Sequence, residues 1–290
     1  MTRVHVLGNP AARGGTDRLD EVLDALRRRG VDAVALLADS PEDAAASATA
    51  AVAGGASRLI CVGGDGSVHL AVGAVAGSGT VLGIVPLGTG NDFARALGLI
   101  DGDLDTQVER ALADPVAIDA IRTDHGWVAT VATLGFSGDV TARANALSWP
   151  RGQMRYSVAT LLQLSRLRTV PLDVTVDGER VDGDATLLAV GNTTFFGGGM
   201  RICPGTGPDD GRLQLVVIGD VSRRTFLRVF PRVFSGRHVD HPDVTATIGR
   251  VVTIDGTADV WADGELLGPL PITLEVVPGA LQIAGANIDV

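Results

Sequence analysis

The sequence predicts an α/β domain with a parallel sheet, followed by an antiparallel β-sandwich-like domain. Three observations carry this reading. A chain of 290 residues suits two domains, at roughly 100–200 residues each. Its first part alternates short apolar runs with helical patterns, the order expected of a parallel sheet covered on both faces. After about Pro115 the texture changes to short β-rich runs, several of them separated by Asp-Gly turns at 177–178, 255–256 and 263–264. No repeat or low-complexity linker marks the junction, so the boundary is drawn on pattern alone. It gives domains 1–117 and 118–290, with the extreme C-terminus free to return to the first domain.

The elements follow in order. Residues 4–7 form a first strand ending in Gly8-Asn9-Pro10. Thr16 is placed to cap a helix through Arg29, whose apolar stripe is Leu19, Val22, Leu23 and Leu26, with Gly30 to end it. A second strand spans 34–37, and an alanine-rich helix spans 41–52 with Pro41 in its first turn. A third strand, 59–62, leads into Gly-Gly-Asp-Gly and a helix from about Ser67. A fourth, 81–85, leads into Pro-Leu-Gly-Thr-Gly-Asn-Asp and another helix. Further strands are expected at 127–133, 172–176, 186–190, 213–218, 251–254, 260–262 and 272–277, interrupted by helical pieces near 153–168 and 222–235.

Composition bounds the chemistry. Hydrophobic residues make up 46%, enough for packed cores, and the net charge of −10 argues against a nucleic-acid partner. The chain contains no lysine, so all 24 basic residues are arginine. Schiff-base chemistry and a lysine-bearing phosphate loop are excluded; phosphate must be held by arginine, backbone N–H groups or metal. Cys61 and Cys203 lack metal-ligand spacing and read as buried thiols of a cytoplasmic protein. Met1-Thr2-Arg3 runs straight into the first strand, with no targeting segment expected. The uncharged stretch 66–91 is broken by glycines, Pro86 and His69, and reads as helix, turn and strand rather than a membrane span.

Two glycine-rich segments carry the strongest signal. Gly63-Gly64-Asp65-Gly66-Ser67 follows a strand and opens a helix. Glycines admit a ligand close to the backbone, and a helix N-terminus offers unpaired N–H groups and the positive end of a dipole. An aspartate in such a cradle would repel phosphate unless it holds a bridging divalent ion. The same design recurs at the next strand end in Pro86-Leu87-Gly88-Thr89-Gly90-Asn91-Asp92-Phe93-Ala94-Arg95. Ligands of open α/β sheets bind at this C-terminal edge. Read locally, Gly-Gly-Asp-Gly is also a tight βα turn, and Asn91-Asp92 a helix cap.

With Asn9-Pro10, these segments resemble the diacylglycerol kinase catalytic-domain family, which includes sphingosine kinases and soluble bacterial lipid kinases. Distal segments fit as well: Asn192 with Gly197-Gly198-Gly199-Met200, Asp209-Asp210-Gly211, and Asp263-Gly264-Glu265. The resemblance covers roughly residues 4–283 and implies an active site in an interdomain cleft, ATP, Mg²⁺ and a lipid alcohol, diacylglycerol foremost. It implies that Asn9, Gly63, Gly64, Asp65, Gly66, Ser67, Val68, His69, Gly88, Thr89 and Asn91 contact ATP. Glu265 would be the general base, and Asp65, Asp92, Asp119 and Asp263 would surround the catalytic metal. Asp210, with main-chain oxygens near Gly207 and Arg212, would bind a second, structural Mg²⁺. This acid-rich set suits phosphoryl transfer, which needs positioning and charge neutralisation, plus one metal-free carboxylate to take the acceptor's proton.

Departures and decoys stand beside the matches. Ala11-Ala12-Arg13 replaces the family's hydroxyl-bearing stretch after Pro10. Ala38 takes the place of a hydroxyl residue, with Ser40 the nearest substitute, and Leu70 stands where many members carry glutamate. Asp177-Gly178-Glu179 repeats the Asp-Gly-Glu triplet but reads as an ordinary hairpin turn. A kinase of a soluble acceptor, as in the related NAD kinases, and a non-catalytic nucleotide-binding module are the alternative readings.

Two stretches are locally basic. Arg143, Arg151, Arg155, Arg166 and Arg168 lie between Asp139 and Asp173 with Trp149, Met154 and Tyr156 interleaved. Arg223, Arg224, Arg228, Arg232 and Arg237 lie between Asp220 and Asp240 with Phe226, Phe230 and Phe234. Each reads either as a helix packed on the β domain or as a peripheral contact with the inner face of a membrane. A homodimer is compatible with the reading.

Overall fold

The computed structural model describes residues 3–8, 15–147, 158–159, 162–163, 167–181 and 184–288. The expectations for Asn9 and for most of the first basic stretch lie outside them, whereas Thr16, expected to cap the first helix, lies within that helix, which already includes Gly15. Two compact units emerge: Met1–Ala120 with Pro278–Val290, and Ile121–Val277.

The first unit alternates strands and helices: β1 (Val4–Gly8), α1 (Gly15–Arg28), β2 (Ala33–Leu36), α2 (Pro41–Ala53), β3 (Arg58–Gly63), α3 (Asp65–Val75), β4 (Val81–Pro86), α4 (Asp92–Ala96), α5 (Leu104–Leu112) and β5 (Pro115–Thr123). Strands pair in parallel in the order β2-β1-β3-β4. The predicted stripe of α1, Leu19, Val22, Leu23 and Leu26, is buried against Val4, Val6, Ile60, Val62 and Val85. Beyond α1, Gly30 N–H donates to Arg27 O and Val31 N–H to Leu26 O, the paired bonds of a glycine-ended helix. Ser40 caps α2 by accepting the Asp43 N–H at 3.1 Å. That cap is the work of the residue read as a substitute for the missing hydroxyl. Helix α3 begins two residues before the expected start, so Asp65 and Gly66 form its first turn.

The second unit contains β6 (Gly126–Val128), β7 (Val131–Gly135), α6 (Phe136–Ala146), β8 (Leu172–Val176), β9 (Glu179–Val181), β10 (Leu187–Gly191), β11 (Phe195–Phe196), β12 (Met200–Arg201), β13 (Leu213–Ile218), α7 (Arg223–Val229), β14 (Val244–Gly249), β15 (Val251–Gly256), β16 (Asp259–Ala262) and β17 (Glu265–Pro269). The first part of β18 (Ile272–Ala284) belongs here too. An antiparallel sheet runs β14-β13-β10-β7-β16-β17. A second antiparallel set joins β18, β15, β8 and β9. Alternation along β10 and β13 explains why both read as unbroken apolar runs. Leu188, Val190, Leu213, Leu215 and Val217 face one core, with Val174, Val252, Ile254 and Leu274. Leu187, Ala189, Val216 and Ile218 face another, covered by Phe136 and Val140 of α6 and Phe226 and Val229 of α7. The predicted strand 127–133 is in fact two strands, β6 pairing with β5 and β7 pairing with β10.

The last strand serves both units. Ile272–Glu275 pair antiparallel with β15, while Gln282 and Ile283 pair parallel with Val81 and Leu82 of β4. Both cysteines are buried, and burial pushes the thiol of Cys61 up to about 12 and that of Cys203 higher still.

Candidate active site

Register brings the two glycine segments together. Gly63 at the end of β3 lies opposite Pro86 at the end of β4, and Leu87 N–H donates to Gly63 O. The two loops therefore leave the sheet side by side. A Cβ on Gly88 would fall 2.8 Å from Gly64 Cα and 2.7 Å from Asn91 Oδ1, so only glycine permits the approach.

Asp65 ties the loops. Its Oδ2 accepts the Asn91 N–H at 2.8 Å and its Oδ1 accepts the Asp92 N–H at 2.7 Å. Asn91 sits in the left-handed region and turns its side chain back on Gly88, accepting from its N–H at 3.0 Å and donating to its carbonyl at 2.7 Å. The helix-cap explanation of Asn91 thus fails: its side chain braces the loop and makes no capping bond to α4. Gly88 and Thr89 are exposed, so the loop is open to a ligand. The donors of the first cradle end at Ser67. Val68 buries its side chain and donates its N–H to Gly64 O, so its main-chain donor is used within the helix.

Carboxylates gather beside the loops. A Cβ on Gly90 would lie 2.6 Å from Asp65 Oδ2 and 3.9 Å from Asp92 Oδ2, which places the two acids next to one another. Asp92 is buried. Sequence reading gave Arg95 no role, yet its Nε is buried without a hydrogen-bond partner and its guanidinium reaches Gly90 O at 3.4 Å. Arg95 is the cation of this loop. Asp119, on β5, is buried and accepts the Gly279 N–H at 2.8 Å.

In the second unit Asp263 and Gly264 form a two-residue hairpin turn with φ of 52° and 90°, closing β16 on β17 with Ala262 opposite Glu265. Asp263 accepts the N–H groups of Ala129 and Thr130 at 3.0 and 2.9 Å and the Thr130 hydroxyl at 2.5 Å. Asn192 donates its backbone N–H to Thr130 O and its amide to Ala129 O, completing the same knot. No local signal in the sequence marks Thr130. Glu265 follows the turn with its side chain exposed. The decoy Asp177-Gly178-Glu179 is the hairpin turn expected of it, with φ of 51° and 84° and Val176 opposite Glu179.

Asp210 closes a loop of its own. Its carboxylate accepts the Gly207 N–H at 3.0 Å and the Arg212 N–H at 2.9 Å, while the Thr206 hydroxyl donates to Arg212 O at 3.1 Å. Among the described residues no group of three or more His, Cys, Asp or Glu side chains could by itself hold a metal. None of the helices described is long and apolar enough to cross a membrane.

Comparison with known proteins fits this geometry. Residues 3–123 match the diacylglycerol kinase catalytic domain, and residues 130–285 match the YegS C-terminal NAD kinase beta sandwich-like domain. A diacylglycerol kinase of Mycobacterium tuberculosis (strain ATCC 25618 / H37Rv) is 38% identical over 296 residues, covering 97% of this chain and 94% of that protein. A probable lipid kinase YegS-like of Xanthomonas axonopodis pv. citri (strain 306) is 33% identical over 287 residues, covering 92% of each. The crystal structure of a diacylglycerol kinase from Bacillus anthracis str. Sterne has the same fold, with a TM-score of 0.73 at 20% identity over 98% of this chain and 96% of that one. With its paired glycine loops, its carboxylates and matches along nearly its whole length, the chain belongs to the diacylglycerol kinase catalytic-domain family and is an ATP-using phosphotransferase with an alcohol acceptor.

Proposed function

We propose that the chain transfers the γ-phosphate of ATP to a lipid hydroxyl, diacylglycerol first among the acceptors. The observation that carries this is the Asp65 clamp, which fixes two glycine loops at the C-terminal edge of a parallel sheet, where open α/β proteins bind their ligands. The 38% identical relative named diacylglycerol kinase supports the acceptor.

The N–H groups at the start of α3, with His69, Gly88, Thr89 and Asn91, hold the nucleotide phosphates. Asn9 completes this set on the strength of the family motif. Glu265 accepts the proton of the acceptor hydroxyl. The hydroxyl oxygen bonds to the γ-phosphorus as the bond to the bridging oxygen breaks, and ADP leaves. Asp65 and Asp92 present adjacent hard oxygen donors, a set that fits Mg²⁺, which takes one or two carboxylates and completes its shell with water and phosphate oxygens. When bound there, the ion supplies charge neutralisation to the phosphates. Asp119 and Asp263 are assigned to the same acidic set on the strength of the family motif alone. The Asp210 loop, with Gly207 and Arg212, is the proposed second Mg²⁺ site. We place the protein in the cytoplasm, peripheral to the membrane that holds its substrate.

The test is transfer of labelled γ-phosphate from ATP, with Mg²⁺, onto diacylglycerol, monoacylglycerol, sphingosine and NAD in mixed micelles, wild type beside Glu265→Gln. Label on diacylglycerol that vanishes in the variant is the expected result. A second reading, a soluble acceptor, draws on the NAD kinase-like character of the domain matched at 130–285. Label on NAD alone would establish it, and no label on any acceptor from folded, ATP-binding protein would sink both.

A further inference from the structure

Helix α7 and the 3₁₀ turn that continues it (Phe230–Ser235) have two faces of opposite character. Phe226, Val229 and Val233 are buried in the core beneath. Phe226 stacks on Phe230 at 5.2 Å and meets Phe136 edge-on at 4.7 Å, which fixes the orientation of the segment. The opposite face is exposed. Arg224, Leu227 and Arg228 share it at i, i+3 and i+4 spacing, and Pro231 and Phe234 continue it at the three-residue period of the 3₁₀ turn. Leu227 is 54% exposed and Phe234 is 59% exposed. Single exposed apolar residues are ordinary; here two are set among arginines.

The charge is the second observation. Residues 221–239 contain five arginines and no acid, where the chain's average composition would give roughly two of each. Arg224, Arg228, Arg232 and Arg237 are all exposed, and none makes an ion pair among the described residues. A protein of net charge −10 thus presents one rigid, cationic face with apolar side chains standing out of it. That combination complements an anionic bilayer: guanidinium groups meet lipid phosphates while leucine and phenylalanine enter the acyl boundary.

We infer that this face of α7 and its 3₁₀ turn docks the protein on an anionic membrane surface. The inference deepens the lipid-kinase reading and rests on it only in that a lipid acceptor must be reached. Its occupant is the bilayer rather than a second copy, because two like-charged faces would repel.

The test is flotation with phosphatidylcholine vesicles, with and without phosphatidylglycerol. Wild type is expected to float with the anionic vesicles only, and less as salt rises. Each arginine contributes about fivefold to partitioning, the equivalent of about 1 kcal/mol, so Arg224→Ala/Arg228→Ala/Arg232→Ala lowers it about 100-fold. Leu227→Ser/Phe234→Ser weakens binding to the same vesicles. Unchanged flotation of the arginine variant, with an unchanged unfolding profile, overturns the inference. So does a loss of dimer in either variant with flotation intact, which makes the face a contact between copies. Vesicle binding is read without catalysis. Wild type that floats through this face yet phosphorylates no lipid removes the kinase reading alone. Lipid phosphorylation on vesicles at the wild-type rate by the arginine variant removes the docking face alone.

Discussion

The carboxylate of Asp65 accepts the main-chain N–H of Asn91 at 2.8 Å across 26 residues of sequence. This bond and its twin to Asp92 make the first loop the template for the second. Asp65→Ala leaves two part-buried N–H groups without their acceptor and is expected to lower stability by about 2–4 kcal/mol. Urea unfolding reads the loss, and ATP affinity falls with it. An Asp65→Ala protein with wild-type stability would show that solvent replaces the clamp.

The two Asp-Gly hairpins form an internal control. Asp177 Oδ1 accepts the N–H groups of Arg250 and Val251 at 2.9 Å, as Asp263 accepts those of Ala129 and Thr130. Alanine at either aspartate is expected to cost about 1–3 kcal/mol. Glu179→Gln and Glu265→Gln, both at exposed sites, change stability by less than about 0.5 kcal/mol. Phosphotransfer separates them: it survives at 177 and 179 and is lost at 263 and 265. Equal activity in the two glutamate variants would remove Glu265 as the base.

Glycines in one unit should respond with opposite sign. Gly88→Ala drives a methyl into Gly64 and Asn91 and parts the loops, and ATP binding is expected to weaken at least about tenfold. On α3, a Cβ at Gly73 meets nothing within 4 Å, so Gly73→Ala is expected to stabilise by about 0.5–1 kcal/mol. Thermal unfolding with and without ATP distinguishes the two.

His238 gives stability a pH dependence. Its ring is buried, with Nε2 3.0 Å from Ile202 O, and burial lowers its pKa although Asp240 and that carbonyl oppose the shift. The unfolded state, with an ordinary pKa of about 6.5, then binds more protons than the native state just below that pH. The contribution is complete above about pH 6.5 and is lost as pH falls toward the lowered native value. Urea midpoints measured between about pH 7.5 and 5 should fall more steeply for wild type than for His238→Gln. Parallel profiles would dismiss the histidine as the cause.

Local chemistry marked the glycine loops, the α1 stripe and the Asp-Gly turns, because each is dictated by a few adjacent residues. Pairing over distance was hidden. Residues 127–133 read as one strand because Ala129-Thr130 carries no breaker; the bend there is imposed by Asp263, 133 residues on. Helix α6 has no clear signature in the sequence because Gly138 and its polar neighbours blur the apolar period. Pro278-Gly279 ended the predicted last strand at 277, since that pair usually stops a ladder. The strand continues because the residues on either side have different partners and Gly279 donates to Asp119. Arg95 stood in a quoted motif, yet its unpaired Nε is visible only in three dimensions.

The path of β18 also sets an order of assembly. During synthesis β1 to β4 emerge early, but the parallel neighbour of β4 arrives only with residues 282–283. Until then that edge of the first-unit sheet is open, and Asp119 awaits the Gly279 N–H. The second unit, Ile121–Val277, is contiguous and is translated in full before the first can close. The nascent chain therefore completes its first-unit sheet only after its β-rich unit has been made, and a ribosome stalled before residue 278 holds a chain in which that sheet is unfinished.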